Sequence, residues 1–179
     1  NHSRLVGSEM CIRDRYSMKI AVSGSNGYIA RNLIPELEAA NHEITRIQRS
    51  ELGDVDQLTK KLSGIDVVIN LAGAPILKRW TVANKNEILR SRIDSTQNIV
   101  HAINCLSAPH RPGLFISASA IGIYSPDKLH TEESTSFSND FVAEVVKSWE
   151  NASDGLNPEV RKVIFRIGLI LGKEAKTIQ

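Results

Sequence analysis

No stretch of the 179-residue sequence is apolar over the roughly 20 residues that a bilayer-spanning helix needs, which excludes a helical membrane anchor within it. Cysteine is scarce. Cys11 and Cys105 stand alone, too few for a disulfide framework or a zinc pattern, so a reducing cytoplasmic setting is the expectation. An excess of one charge is missing as well. Lys and Arg number 22 against 20 Asp and Glu, and a net +2 is too small to imply nucleic acid or an anionic lipid surface as partner. His42, His101 and His110 share no metal-ligand spacing, so no metal is expected. There is no internal repeat, low-complexity segment or linker. At 41% hydrophobic, the chain can bury one sizeable core. A small-molecule substrate is the expected partner, and the oligomeric state is not legible.

The first stretch, "NHSRLVGSEMCIRDRYS", neither alternates nor follows a helical spacing, and it has no apolar signal-peptide core. "LVGSEMCIRDR" resembles a translated sequencing adaptor. Residues 1–17 are therefore expected to be a non-native or disordered tail, with Met18 as the natural start. The final "VRKVIFRIGLILGKEAKTIQ" reads as a strand running into an unfinished loop, so the expectation is one domain over 18–179 that stops short of a further C-terminal region.

Between these ends, strand and helix patterns alternate. "MKIAVS" (18–23), "HEITRIQR" (42–49), "DVVINLAG" (66–73), "GLFISAS" (113–119) and part of "KVIFRIGLIL" (162–171) read as strands. The first helix carries Ile29, Leu33, Ile34 and Leu37 on one face and has Pro35 inside it. Asp54 can cap a short helix with Leu58 and Leu62. Thr81 can cap a long one with Ile88, Ile93, Val100 and Ile103, and "DFVAEVVKSWENA" (140–152) is a fourth. Cys105, at the end of an apolar helical pattern, is expected to be a small core residue. Strands separated by helices predict an α/β Rossmann-type, doubly wound parallel sheet with helices on both faces. Almost no room remains between Arg49 and Asp54 for an additional strand.

The stretch "SGSNGYIA" stands where the first strand hands over to the first helix. Read as Gly24-x-x-Gly27-x-x-Ala30, it is a dinucleotide-binding turn. Gly24 allows the tight turn, Gly27 lets the backbone approach a pyrophosphate, and Ala30 is small enough for the helix to pack on the strand. The free N–H groups of the helix N-terminus then face the phosphates. Ser25, Asn26, Tyr28 and Ile29 complete the turn as cofactor-binding candidates. At the end of the second strand Gln48 stands where an NAD site wants an acid, and Arg49 follows. A guanidinium suits a 2′-phosphate, so NADP is the expected cofactor, with NAD as the alternative.

These motifs, with "NLAG" (70–73) and a serine-rich strand end, resemble the extended, epimerase-like branch of the short-chain dehydrogenase/reductase superfamily. "NLAGAPILKRWT", "SRIDSTQ", "ISASAIGIYS", "TEES" and "KSWE" follow in the order of an atypical subgroup, the epimerase-family or NAD-dependent epimerase/dehydratase-like proteins of unknown substrate. The resemblance covers Met18 to about Gly172. It implies that Leu71, Ala72 and Gly73 pass under the cofactor, that Asp54 and Val55 in "GDVD" (53–56) contact adenine, and that a smaller C-terminal substrate domain follows. Ser117 belongs to the same cofactor-side set.

The resemblance also implies a catalytic serine, tyrosine and lysine. Ser119 occupies the serine slot. The tyrosine and lysine slots fall on Val142 and Val146, neither of which can move a proton, and Lys147 is one residue off. Tyr124 is the nearest tyrosine, and with Ser119 it is the candidate for the catalytic polar pair. As residues, Tyr124 also reads as a pocket wall, Trp80 and Trp149 as packing anchors, and Arg79 and Arg92 as surface charges or holders of an anionic substrate group. Two functions remain open: an NAD(P)-dependent oxidoreductase or epimerase-like enzyme with an unorthodox acid/base, and a non-catalytic dinucleotide-binding sensor or scaffold.

Overall fold

The computed structural model describes residues 17–131 and 133–172. Of the expected tail, 1–17, all but Ser17 lies outside these residues. The Ser17 hydroxyl donates to the Asn41 carbonyl at 2.8 Å. Strands β1 (Lys19–Ser23), β2 (Glu43–Ile47), β3 (Val67–Asn70), β4 (Leu114–Ala120) and β5 (Arg161–Ile167) form one parallel sheet in the order β2-β1-β3-β4-β5. Parallel neighbours need crossovers. Helices α1 (Tyr28–Ala39), α2 (Val55–Leu62), α3 (Val82–Asn104) and α4 (Phe141–Asn151) supply them. The chain runs from β1 outward to β2 and then returns to place β3 on the other side of β1. The strand order therefore reverses between β1 and β3, and a crevice opens at their C-terminal ends.

Three helices start on side chains that the sequence puts in reach of free N–H groups. Asp54 accepts from Gln57 N at 3.0 Å, Thr81 from Asn84 N at 3.3 Å, and Asp140 from Ala143 N at 2.9 Å. Helix α1 has Gly27 at that position and no side-chain cap. A short 3-10 turn, Glu51–Gly53, fills the lean segment before α2.

The core divides by sheet face. On one face Ala21, Ile47, Val68 and Phe115 pack with Leu58 and Leu62 of α2 and Ile99, Ala102 and Ile103 of α3. On the other, Ile20, Val22, Val67 and Ile69 pack against Ala30 and Ile34 of α1.

Two expectations are corrected. Cys105 is exposed rather than in the core. It follows the last turn of α3, whose buried series Ile99, Ala102, Ile103 continues to Leu106 and turns position 105 outward. Trp80 is a partial anchor only. It is 47% exposed, with its Nε1 donating to the Ile76 carbonyl and its ring edge-on to Phe141. Trp149, by contrast, is buried.

Candidate functional site

The crevice holds a cleft of about 570 Å³ lined by residues 24–27, 47–49 and 71–74 and by one side of α3, including Ser91 and Ser95. Gly24 has a φ of +68°, and a Cβ there would lie 2.6 Å from the Leu71 carbonyl oxygen. Only glycine satisfies both demands, so the turn and the β3–α3 loop meet backbone to backbone. Gly27 is exposed, and its N–H donates to the Gly24 carbonyl at 2.8 Å. Among the described residues beyond its chain neighbours, a Cβ on Gly27 would meet that same oxygen alone, at 3.1 Å. The exposed backbone of Gly27 lines the cleft without a side chain, as close approach of a phosphate requires. The N–H groups of Tyr28, Ile29 and Ala30 find no acceptor among the described residues. A bare glycine cradle, uncapped donors and a positive dipole end fit a pyrophosphate.

The floor of the cleft is a buried polar network that sequence reasoning did not single out. Ser23 donates to Asn70 Oδ1 at 2.6 Å, and Asn70 Nδ2 donates to Thr96 Oγ1 at 2.9 Å. The N–H of Leu71 donates to Ser23 Oγ at 3.2 Å. Ser23, Asn70 and Thr96 are fully buried. The network ties β1, β3 and α3 together directly under the Leu71–Gly73 loop. Its signal in the sequence is the polar residue that closes each of two strands after a buried apolar run.

The remaining cofactor candidates separate. Ser25 and Asn26 line the cleft with the glycines. Tyr28 and Ile29 stand behind them in the first turn of α1, with the Tyr28 hydroxyl against the backbone of Gly172. Arg49 lines the cleft at the end of β2, its side chain 83% exposed and 3.7 Å from Glu87 of α3. Asp54 and Val55 are not among the lining residues. The Asp54 carboxylate caps α2 and Val55 packs on the core, while Leu52 and Gly53 face the cleft instead. Ser117 is buried in β4, its hydroxyl on the Ala118 carbonyl, and stands off the lining.

Ser119 and Tyr124 belong to a second polar assembly. The Ser119 hydroxyl donates to Glu150 Oε1 at 2.5 Å. Arg166 donates from Nε and Nη2 to the two Glu150 oxygens, each at 2.9 Å, and from Nη1 to the Tyr124 oxygen at 2.6 Å. Register explains the meeting: Ser119 of β4 pairs with Arg166 of β5, and Glu150 reaches them from α4. Burial pushes the Glu150 carboxyl up, but the hydrogen bonds from Arg166 and Ser119 and the Arg166 charge outweigh it and hold the group below its ordinary value. The same carboxylate, against a desolvation penalty, raises Arg166. A cavity of about 910 Å³ opens on Tyr124, His130, Glu150 and Arg166. Glu150 and Arg166 were missed in the sequence because they lie 16 residues apart on different elements. Of the slots expected for tyrosine and lysine, Val142 packs on Gly122 and Val146 is buried. Lys147 Nζ donates to the Ser138 carbonyl, away from both.

The sheet order, the left-handed Gly24 and the bare helix start at the switch point define a Rossmann-type α/β protein. Within that class, the chain belongs to the NAD dependent epimerase/dehydratase family, whose model matches residues 20–143. It is 33% identical over 174 residues to the epimerase family protein SDR39U1 homolog, chloroplastic, of Arabidopsis thaliana, covering 88% of this chain and 50% of that protein. It is also 33% identical over 165 residues to epimerase family protein SDR39U1 of Bos taurus, covering 87% of this chain and 55% of the relative. The crystal structure of human epimerase family protein SDR39U1 (isoform 2) with NADPH superposes with a TM-score of 0.77 at 31% identity, over 87% of this chain and 55% of that one. The chain thus spans about half the length of the curated relatives that it matches.

Proposed function

We propose that the chain forms the NADP(H)-binding part of an oxidoreductase or epimerase-like enzyme, with Ser119 and Tyr124 as its candidate catalytic groups. The observation that carries the reading is the cradle at Gly24 and Gly27, where bare backbone and unpaired N–H groups open onto a cleft of about 570 Å³. Arg49 stands at the far end of that cleft with an exposed guanidinium, which suits a 2′-phosphate better than a second ribose hydroxyl. The human relative solved with NADPH supports the same choice.

A bound nicotinamide would supply or accept hydride. The chain's own contribution is proton control at a substrate oxygen. Arg166 donates to the Tyr124 oxygen, which holds the phenol at the edge of the larger cavity with its own O–H free to reach a substrate oxygen. Glu150 holds Arg166 and Ser119 in place. The second reading, a dinucleotide sensor without turnover, is favoured by one observation: Val142 and Val146 fill the slots where the superfamily carries its proton donor and cation.

Titration with NADPH and NADH by nicotinamide fluorescence tests the cofactor. NADPH is expected to bind more tightly, and Arg49→Ala is expected to remove about tenfold of the preference, the low end for a hydrogen bond to a charged group because the site is exposed. Equal affinities in the wild type overturn the NADP assignment. Assay of the longer protein with NADPH against a panel of carbonyl compounds separates enzyme from sensor. Turnover lowered about 10²–10⁴-fold by Tyr124→Phe supports the acid/base role, and activity indifferent to both Tyr124→Phe and Ser119→Ala removes it.

A further inference from the structure

Arg92 of α3 is partly buried, lines neither cavity and takes part in none of the ion pairs among the described residues. Its hydrogen bonds go to backbone instead. Nη1 donates to two carbonyls, Ala74 at 3.1 Å and Ile88 at 2.9 Å. The N–H of Ala74 donates to Ser91 Oγ at 2.9 Å, and the Ser91 hydroxyl donates to the same Ile88 carbonyl at 3.1 Å. These bonds close a ring that takes up both backbone polar groups of Ala74. A charged donor makes its two links in the ring stronger than neutral ones.

The flat face of the guanidinium is used as well. A Cβ at Gly73 would lie 3.1 Å from Cζ and 3.3 Å from each of Nε and Nη2, so Gly73 rests against the plane rather than its edge. A side chain at 73 would press on that plane. The guanidinium carbon also lies 5.1 Å from the centre of the Trp149 ring, a cation–π contact with a buried neighbour on α4. On the β3 side, the N–H groups of Leu71 and Ala72 go to Ser23 Oγ and Asn70 Oδ1. The loop is thus held before and after Gly73. Gly73 itself is exposed in the dinucleotide cleft, and its N–H and C=O find no partner among the described residues.

We propose that Arg92 is a positioning residue of the dinucleotide cleft, which clamps the Gly73–Ala74 segment so that the unpaired peptide of Gly73 is presented to the cofactor. The proposal rests on the cleft being a cofactor site, and it adds the part that keeps one wall of that site in place. A loop ordered before binding loses less freedom when the ligand arrives. The clamp therefore acts on cofactor affinity as well as on stability.

Two readouts separate this role from a merely structural one. Hydrogen exchange of the Ala74 amide, followed by NMR, reads the clamp without ligand. Titration with NADPH by nicotinamide fluorescence reads its consequence, at a temperature where circular dichroism shows each variant folded. Arg92→Met keeps an unbranched side chain but makes neither hydrogen bond. It is expected to speed Ala74 exchange at least about tenfold while the Val68 amide in β3 stays within about twofold. It is also expected to weaken NADPH at least about tenfold, the scale of a lost hydrogen bond from a charged group. Arg92→Lys, which can still donate to the carbonyls, should recover part of both losses. Failure of wild type to bind NADPH would sink the cofactor reading, and Ala74 exchange then decides the clamp alone. NADPH affinity within twofold of wild type in Arg92→Met, with only the melting temperature reduced, overturns the proposal. Unchanged Ala74 exchange overturns it too. If Arg92→Met does not fold, Arg92→Lys and Ser91→Ala, which opens the same ring, carry the decision by the same two readouts.

Discussion

At the scale of single residues, the site depends on atoms that are absent as much as on those present. A Cβ at Gly27 would lie 3.1 Å from the Gly24 carbonyl oxygen, and Gly27→Val adds a branched group on the exposed turn, in the path of the pyrophosphate. The variant is expected to keep its far-UV circular dichroism and to lose NADPH binding by at least a hundredfold in a fluorescence titration. Unchanged affinity would make the turn purely structural. Glu150 bears on pH. Its carboxyl is held below the ordinary value near 4.3. A depressed folded-state pKa contributes stability above the unfolded value, and that contribution is lost as pH falls through the folded one. Melting temperature should therefore fall in the wild type as pH drops below the ordinary carboxylate value near 4.3, and less steeply in Glu150→Gln, which starts lower at pH 7 because Arg166 has lost its partner. Parallel acid profiles for the two proteins would exclude this linkage.

Elements place these residues through their ends. Strand β3 finishes in Asn70, and the side chain that stops the apolar run also binds Ser23 of β1 and Thr96 of α3. Removing it strands two buried hydroxyls and takes away the Oδ1 that accepts from the Ala72 N–H in the cofactor loop. Asn70→Ala is expected to destabilise the protein by about 2–3 kcal/mol in urea unfolding, the cost of leaving buried polar groups unpaired. A loss below 0.5 kcal/mol would mean that the hydroxyls find other partners. The caps were legible one by one, because Asp54, Thr81 and Asp140 each precede a helical pattern. Asp54 shows the limit of that legibility. The same residue answers to a helix cap and, by resemblance, to an adenine contact, and here its carboxylate is taken by Gln57 N.

For the whole molecule, the cleft couples ligand to folding, since its walls come from β1, β2, β3 and α3 together. A ligand that binds only the folded chain stabilises it by about 2.7 kcal/mol at a hundred times its dissociation constant. For a chain of this length, that predicts a rise in melting temperature of about 5–11 °C with NADPH. The shift should vanish in Gly27→Val. A shift of equal size in that variant would place the cofactor elsewhere.

What the sequence determined by itself was local and periodic. Alternation and helical spacing marked the five strands and four helices, because side-chain direction repeats every two or 3.6 residues whatever the rest of the chain does. The glycines of the turn were legible for the same reason, since φ and the lack of a Cβ are properties of single positions. Distance in the chain hid the rest. The Ser119–Glu150–Arg166–Tyr124 assembly joins β4, α4, β5 and the segment after β4, and only the parallel register of β4 with β5 sets Ser119 beside Arg166. Arg92 read equally well as a surface charge until the packing of α3 on Gly73 and Trp149 buried it. Cys105 shows the same cause in reverse. Ile103 and Leu106 on either side of it are buried, yet the rotation of α3 about its own axis turned it to solvent. Periodicity says which face a residue shares, while the sheet order and register decide what that face meets.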